Sequence, residues 1–286
     1  MKNVFFQGSL KKGTSLSTFG KLDGQVLAML SSHGFECVEL SFTFDYYMNV
    51  LDLPKTASMY GEMARANGIE IASVHLPFSG ILDISSENRD YRSITLYTNR
   101  VLIDAAANAG CRAVVLHPSS EPISDDRRPE RMKLSREAIC ALASQCSALG
   151  LLLGVENLPR TCLCRTSDET VELLSGTGAG VTFDTNHALT EDNIDFIDSL
   201  TAAGIPIHSM HASDYFYDEK GELDERHCLP GEGINRWNEL FKALERANYS
   251  GPLMYEISRK PKGWRENISI EALEANISAL SSGMIK

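Results

Sequence analysis

Eight short apolar runs, separated by stretches of helical spacing, limit what this 286-residue chain can fold into. They are VFFQG near 4–8, FECVELSF at 35–42, IEIASVHL at 69–76, CRAVVLHP at 111–118, LLLGVENL at 151–158, GVTFDTNH at 180–187, IHSMHASD at 207–214 and PLMYEIS at 252–258. Most are continuously apolar, the pattern of parallel strands covered on both faces by crossover helices. Helical stretches such as MYGEMARANG, VLIDAAANAG and LFKALERANYSG fill the gaps, and several end in Gly, a common helix stop. Eight such units at this length close most economically as an α/β fold, one (β/α)8 TIM barrel domain over 1–286. An open doubly wound sheet would need a glycine-rich phosphate loop after an early strand, and FFQGSLKKG is a poor match.

The net charge of −11 argues against nucleic acid as a partner, because phosphate binders display a basic face. The basic run RKPKGWR at 259–265 reads as a solvated loop. No apolar run is long enough to cross a bilayer. Seven cysteines without a CxxC suit a reducing cytoplasm better than a disulfide framework. Cys162 and Cys164 read as ordinary thiols.

A second pattern follows from the first. The later strands each end in a side chain able to ligate a metal: His75 in VHLPF, His117 in LHPSS, Glu156 in GVENLP, Asp184 and His187 in FDTNH, His211 in HASD and Glu256 in YEIS. The C-terminal strand ends of a barrel converge on one mouth, where active sites of this fold sit. Carboxylates gathered there repel one another unless a cation neutralises them. Mixed carboxylate and imidazole donors suit Mn²⁺, Mg²⁺, Co²⁺, Fe²⁺ or Zn²⁺. A loop-like segment, HASDYFYDEKGELDERHCLPGEG at 211–233, adds Asp214, Glu225 and His227.

With GVENLP, FDTNH, HASD and HCLPGEG in hand, the chain resembles the xylose isomerase-like TIM-barrel superfamily over nearly its whole length. That superfamily includes ketose 3-epimerases, inosose dehydratase and endonuclease IV. The resemblance implies a metal-dependent sugar or polyol isomerase/epimerase that removes a proton beside a carbonyl through a metal-stabilised enediolate. A lyase or dehydratase on a keto-sugar or 3-keto-glycoside, using the same chemistry, is the alternative. An endonuclease IV-like phosphodiesterase is a lesser one.

Carried over by motif, the resemblance makes Glu156, Asp184, His211 and Glu256 ligands of one divalent ion, with Mn²⁺ the first choice. Glu156 and Glu256 become the proton-transfer carboxylates and His187 a catalytic contact to the substrate oxygen. His75, His117, Arg160, Glu225, His227 and Trp264 are expected to bind the carbohydrate. In endonuclease IV the positions of His75, His117, His187, Glu225 and His227 bind further zinc, so a second ion near His227 stays open. The substrate-binding arginine of the epimerases, six residues after the ligand histidine, is here Tyr217. Homo-oligomerisation is left open.

Overall fold

The computed structural model describes residues 6–19, 22–41, 53–258 and 268–285. Its strands and helices alternate: β1 (Lys12–Ser15), α1 (Gly24–Ser32), β2 (Cys37–Ser41), α2 (Leu53–Ala66), β3 (Glu70–His75), α3 (Arg89–Ala109), β4 (Ala113–Leu116), α4 (Arg128–Ala148), β5 (Leu152–Glu156), α5 (Ser167–Leu174), β6 (Gly180–Asp184), α6 (Asn193–Ala202) and β7 (Ile207–His211). An antiparallel hairpin, β8 (Asp214–Tyr217) and β9 (Leu223–Cys228), then precedes α7 (Trp237–Arg246), β10 (Leu253–Tyr255) and α8 (Ile270–Ser281).

The parallel sheet runs β10-β1-β2-β3-β4-β5-β6-β7. A parallel bridge between Ala212 and Tyr255 brings its edges together, with the Ala212 N–H donating to Met254 O at 2.7 Å. This is the expected (β/α)8 barrel. Its strands are buried on both sides, as the unbroken apolar runs required. Helix α7 shows how the outer ring attaches: Trp237, Leu240, Phe241 and Leu244 recur at helical spacing and are all buried. Helix α3 is bounded by chemistry written in its sequence. Asn88 accepts the N–H groups of Asp90 and Tyr91 at its start, and Gly110 ends it in the left-handed region at φ 78.

Two expectations fail. The first strand is not VFFQG, because Phe6–Ser9 form a 3₁₀ turn and the strand is Lys12–Ser15. That strand carries no apolar run. It is selected by closeness, since a Cβ on Gly13 would meet Cys37 Sγ at 2.7 Å. The segment after β7 is no simple loop either, because half of it pairs as β8–β9.

Asp214 explains how the hairpin is held. Its carboxylate is fully buried and accepts the Gly231 N–H (2.9 Å), the Asn235 N–H (3.0 Å) and the Trp237 indole N–H (3.0 Å). The acid singled out beside His211 thus organises the Pro-Gly turn. We expect Asp214→Ala to destabilise the protein by about 2 kcal/mol or more, since the buried Asn235 N–H and Trp237 indole N–H lose their acceptor. A urea midpoint within error of wild type would refute this role.

Candidate active site

The ends of β3, β5, β6, β7 and β10 deliver His75, Glu156, Asp184, His211 and the adjoining Glu256 to one mouth, with His117 following β4. A cavity of about 430 Å³ opens there, lined by His75, His117, Glu156, Arg160, His187, Glu225, His227 and Glu256 together with Phe78. Asp184 and His211 are fully buried, with no exposure, and lie close behind this wall. Trp264 falls outside the described residues.

Glu156 is the hub. Its Oε1 lies 3.1 Å from His211 Nδ1 and 3.5 Å from His187 Nδ1. Its Oε2 lies 3.0 Å from His117 Nε2 and 3.2 Å from His75 Nε2. Glu256 Oε2 approaches His211 Nδ1 at 3.0 Å. The neighbouring motif residues hold β6 in place. Asn157 donates to Asp184 O and accepts the Asp184 N–H at 2.7 Å, and its own carbonyl oxygen is 3.0 Å from His187 Nδ1. Asp184 Oδ1 accepts the Asn186 N–H at 2.6 Å, while its Oδ2, equally buried, is left without a hydrogen bond.

The electrostatics follow from this crowding. Burial works against charge on His211, yet Glu256, Glu39 and Glu156 together hold its imidazole well above the ordinary value. His75 is also penalised by burial, but the hydrogen bond and charge of Glu156 raise it to about 9. His117 goes the other way, lowered chiefly by burial and also by the neighbouring imidazoles. Burial pushes Glu156 and Glu256 up, but the facing imidazoles outweigh it and hold both below the usual carboxylate range. Protons on histidine thus balance carboxylates, and a divalent cation could take over that role and release them.

The donor atoms fit such an ion. Glu156, Asp184, His211 and Glu256 each offer one atom, all within 4.8 Å of one another. Two bonds of about 2.1 Å would allow a span of about 4.2 Å, so small side-chain movements suffice. Asp184 Oδ2, buried without a hydrogen bond and 3.4 Å from His187 Nδ1, is the kind of atom that such a ligand set leaves for a cation. Two further groups bring their donor atoms within 4.8 Å of one another, His75 with His117 and Glu156, and Asp184 with His187 and His227.

The remaining sequence candidates form the rim. Arg160 is paired with Glu121, its Nε 2.9 Å from Oε1, and contacts Glu225. Glu225 Oε2 lies 3.9 Å from His187 Nε2. His227, at φ 47, packs edge-on against the His187 ring at 5.3 Å and sets Nδ1 3.3 Å from Ser213 Oγ. Tyr217 is 60% exposed and does not line this cavity.

Sequence reasoning missed two residues. Phe78 stacks on the His117 ring at 3.7 Å and stays 54% exposed at the cavity, visible in the sequence only as an aromatic three residues after His75. Glu39 on β2 is fully buried, with both carboxylate oxygens 3.1 Å from His211 Nε2. Its signal was an acid set between Val38 and Leu40 in the apolar run FECVELSF.

The fold and this mouth define a (β/α)8 barrel with a buried carboxylate–imidazole centre at its C-terminal face. A sequence profile described as xylose isomerase-like TIM barrel matches residues 27–274, and the chain belongs to that family. No curated protein matches significantly. Among similar solved structures is a D-tagatose 3-epimerase-like protein, 25% identical with a TM-score of 0.78, covering 96% of this chain and 98% of that one. A 3-keto-D-glucoside 4-epimerase from E. coli is 17% identical with a TM-score of 0.73, covering 95% and 98%. An IolI protein with a bound zinc atom is 15% identical with a TM-score of 0.74, covering 97% and 99%. The last two show likeness of fold alone. Among the described residues, no helix is long and apolar enough to cross a membrane.

Proposed function

We propose that the chain is a divalent-metal-dependent isomerase or epimerase of a sugar or polyol, acting by removal of a proton beside a carbonyl. The convergence of Glu156, Asp184, His211 and Glu256 within 4.8 Å carries this reading. The sugar-epimerase names among the similar structures support it. A bound divalent ion, Mn²⁺ first among Mg²⁺, Co²⁺, Fe²⁺ and Zn²⁺, would supply an electrophile that makes the C–H next to the carbonyl acidic.

The chain's own residues do the rest. Glu256 is held in its ionised form and its side chain is 22% exposed, so it is the carboxylate best placed to take a proton from a molecule in the cavity. Glu156 is the second proton-transfer carboxylate, and His187 hydrogen-bonds a substrate oxygen. His75, His117, Arg160, Glu225 and His227 bind and orient the carbohydrate, and the hairpin screens it from water. Expulsion of a β-substituent after the same abstraction would make the enzyme a lyase.

Deuterium uptake tests the reading. Ketoses and 3-keto-glycosides incubated with metal-loaded protein in D₂O should gain deuterium beside the carbonyl, and the products distinguish epimer from eliminated fragment. No uptake from any of them would overturn it.

One observation favours a second reading. Glu156 and Asp184 are each shared between two of the three candidate ligand groups, which suits several ions and a phosphodiesterase of the endonuclease IV kind. The net charge of −11 weighs against a DNA substrate. His227→Ala separates the two. Under the isomerase reading, turnover falls about tenfold, the effect of one lost substrate hydrogen bond, while metal content measured by mass spectrometry stays at one ion. Loss of all metal from that variant would favour the multi-ion enzyme.

A further inference from the structure

Glu39 poses a question that packing does not answer. Taking a carboxylate out of water costs several kcal/mol, and apolar residues of similar size often serve stability as well or better. Nevertheless Glu39 stands in the barrel interior on β2 with no exposure. The Ser73 hydroxyl on β3 donates to its Oε2 at 2.7 Å, fixing the carboxylate from one side. On the other side His211 Nε2 lies 3.1 Å from both oxygens.

The two nitrogens of His211 therefore face different tasks. Nδ1 points to Glu156 Oε1 and Glu256 Oε2, inside the four-residue ligand group. Nε2 points away from that group, to Glu39. An imidazole can ligate through one nitrogen only if the other carries the proton, and a carboxylate on the far nitrogen both selects that tautomer and makes the ligating nitrogen more basic. The ring is also confined in plane, nearly parallel to His75 at 14° with centroids 5.9 Å apart.

We propose that Glu39 is a positioning residue for the metal centre. Held by Ser73, it keeps the proton of His211 on Nε2 and presents Nδ1 to the ion without touching ion or substrate. This inference rests on the metal-dependent reading above, and the test is built so that the two can fail separately.

The test is the affinity of metal-stripped protein for Mn²⁺ and Zn²⁺, by calorimetry against a competing chelator. Wild type is expected to bind, and Glu39→Gln to bind roughly 10- to 100-fold more weakly with the same stoichiometry, the usual loss for an outer partner of a ligating histidine. A purely structural role would leave the affinity of the folded variant unchanged, and that result overturns the inference while leaving the metal reading intact. Failure of wild type to bind either ion overturns both. Should Glu39→Gln not fold, nitrogen NMR of the Zn²⁺-loaded wild type decides. The His211 proton is expected on Nε2, with Nδ1 carrying the coordination shift, and the reverse assignment removes Glu39 from this role.

Discussion

Glu256→Gln is expected to lower turnover by about 10³-fold or more, and Glu156→Gln by a similar factor. General acid–base catalysis contributes about 10² to 10⁴, and each change also removes a negative charge from the proposed ligand set. Glutamine keeps the shape of glutamate but cannot take a proton from carbon. Both variants should fold, since each residue sits at the barrel mouth and neither belongs to the apolar core that fixes the strands. Their circular dichroism spectra check this, and their metal content separates lost ion from lost base. Substantial turnover in either variant would remove that glutamate from proton transfer. Glu256 is the more decisive of the two, because Glu156 is enclosed by the imidazoles of His75, His117, His187 and His211.

The second large effect concerns the ion itself. Asp184→Ala and His211→Ala should each weaken metal binding at least as much as loss of an outer partner does, by about 100-fold or more. The controls are two histidines remote from the mouth. His33 Nδ1 pairs with Glu274 at 2.6 Å, its side chain 27% exposed. His208 stands near the start of β7, where it crowds Gly180. Alanine at either position should leave metal content at the wild-type level. Equal retention in all four variants would dismantle the ligand assignment.

The sequence reveals the barrel well and its mouth only in part, for reasons visible in particular residues. The barrel strands from β2 onward fall within the apolar runs, because burial on both faces writes itself as continuous hydrophobicity. β1 does not, since KGTS is chosen by the tight approach of Gly13 to Cys37, a contact no local pattern announces. The hairpin β8–β9, DYFY paired with LDERHC, shows no alternation of apolar and polar residues, so periodicity is nearly silent there. Strand-end polar residues were legible because a barrel sends them all to one place. What motif spacing could not separate was ligand from scaffold. Asp214 and His211 stand three residues apart in HASD, yet one ties a loop together and the other joins a candidate ligand group. Glu39 was hidden for the opposite reason: a single charge in an apolar strand looks like noise until its partner on β7 is known.

The central proposal is that a carboxylate takes a proton from carbon that a bound divalent ion would make acidic. Its most direct test is solvent deuterium uptake by a panel of ketoses and 3-keto-glycosides, read by mass spectrometry on metal-loaded protein, on the same protein after chelation, and on Glu256→Gln. The account predicts uptake beside the carbonyl with the loaded wild type, its loss on chelation and return on adding Mn²⁺, and none above background with Glu256→Gln. Uptake that persists unchanged after the ion is removed, or in the Glu256→Gln variant, would contradict it.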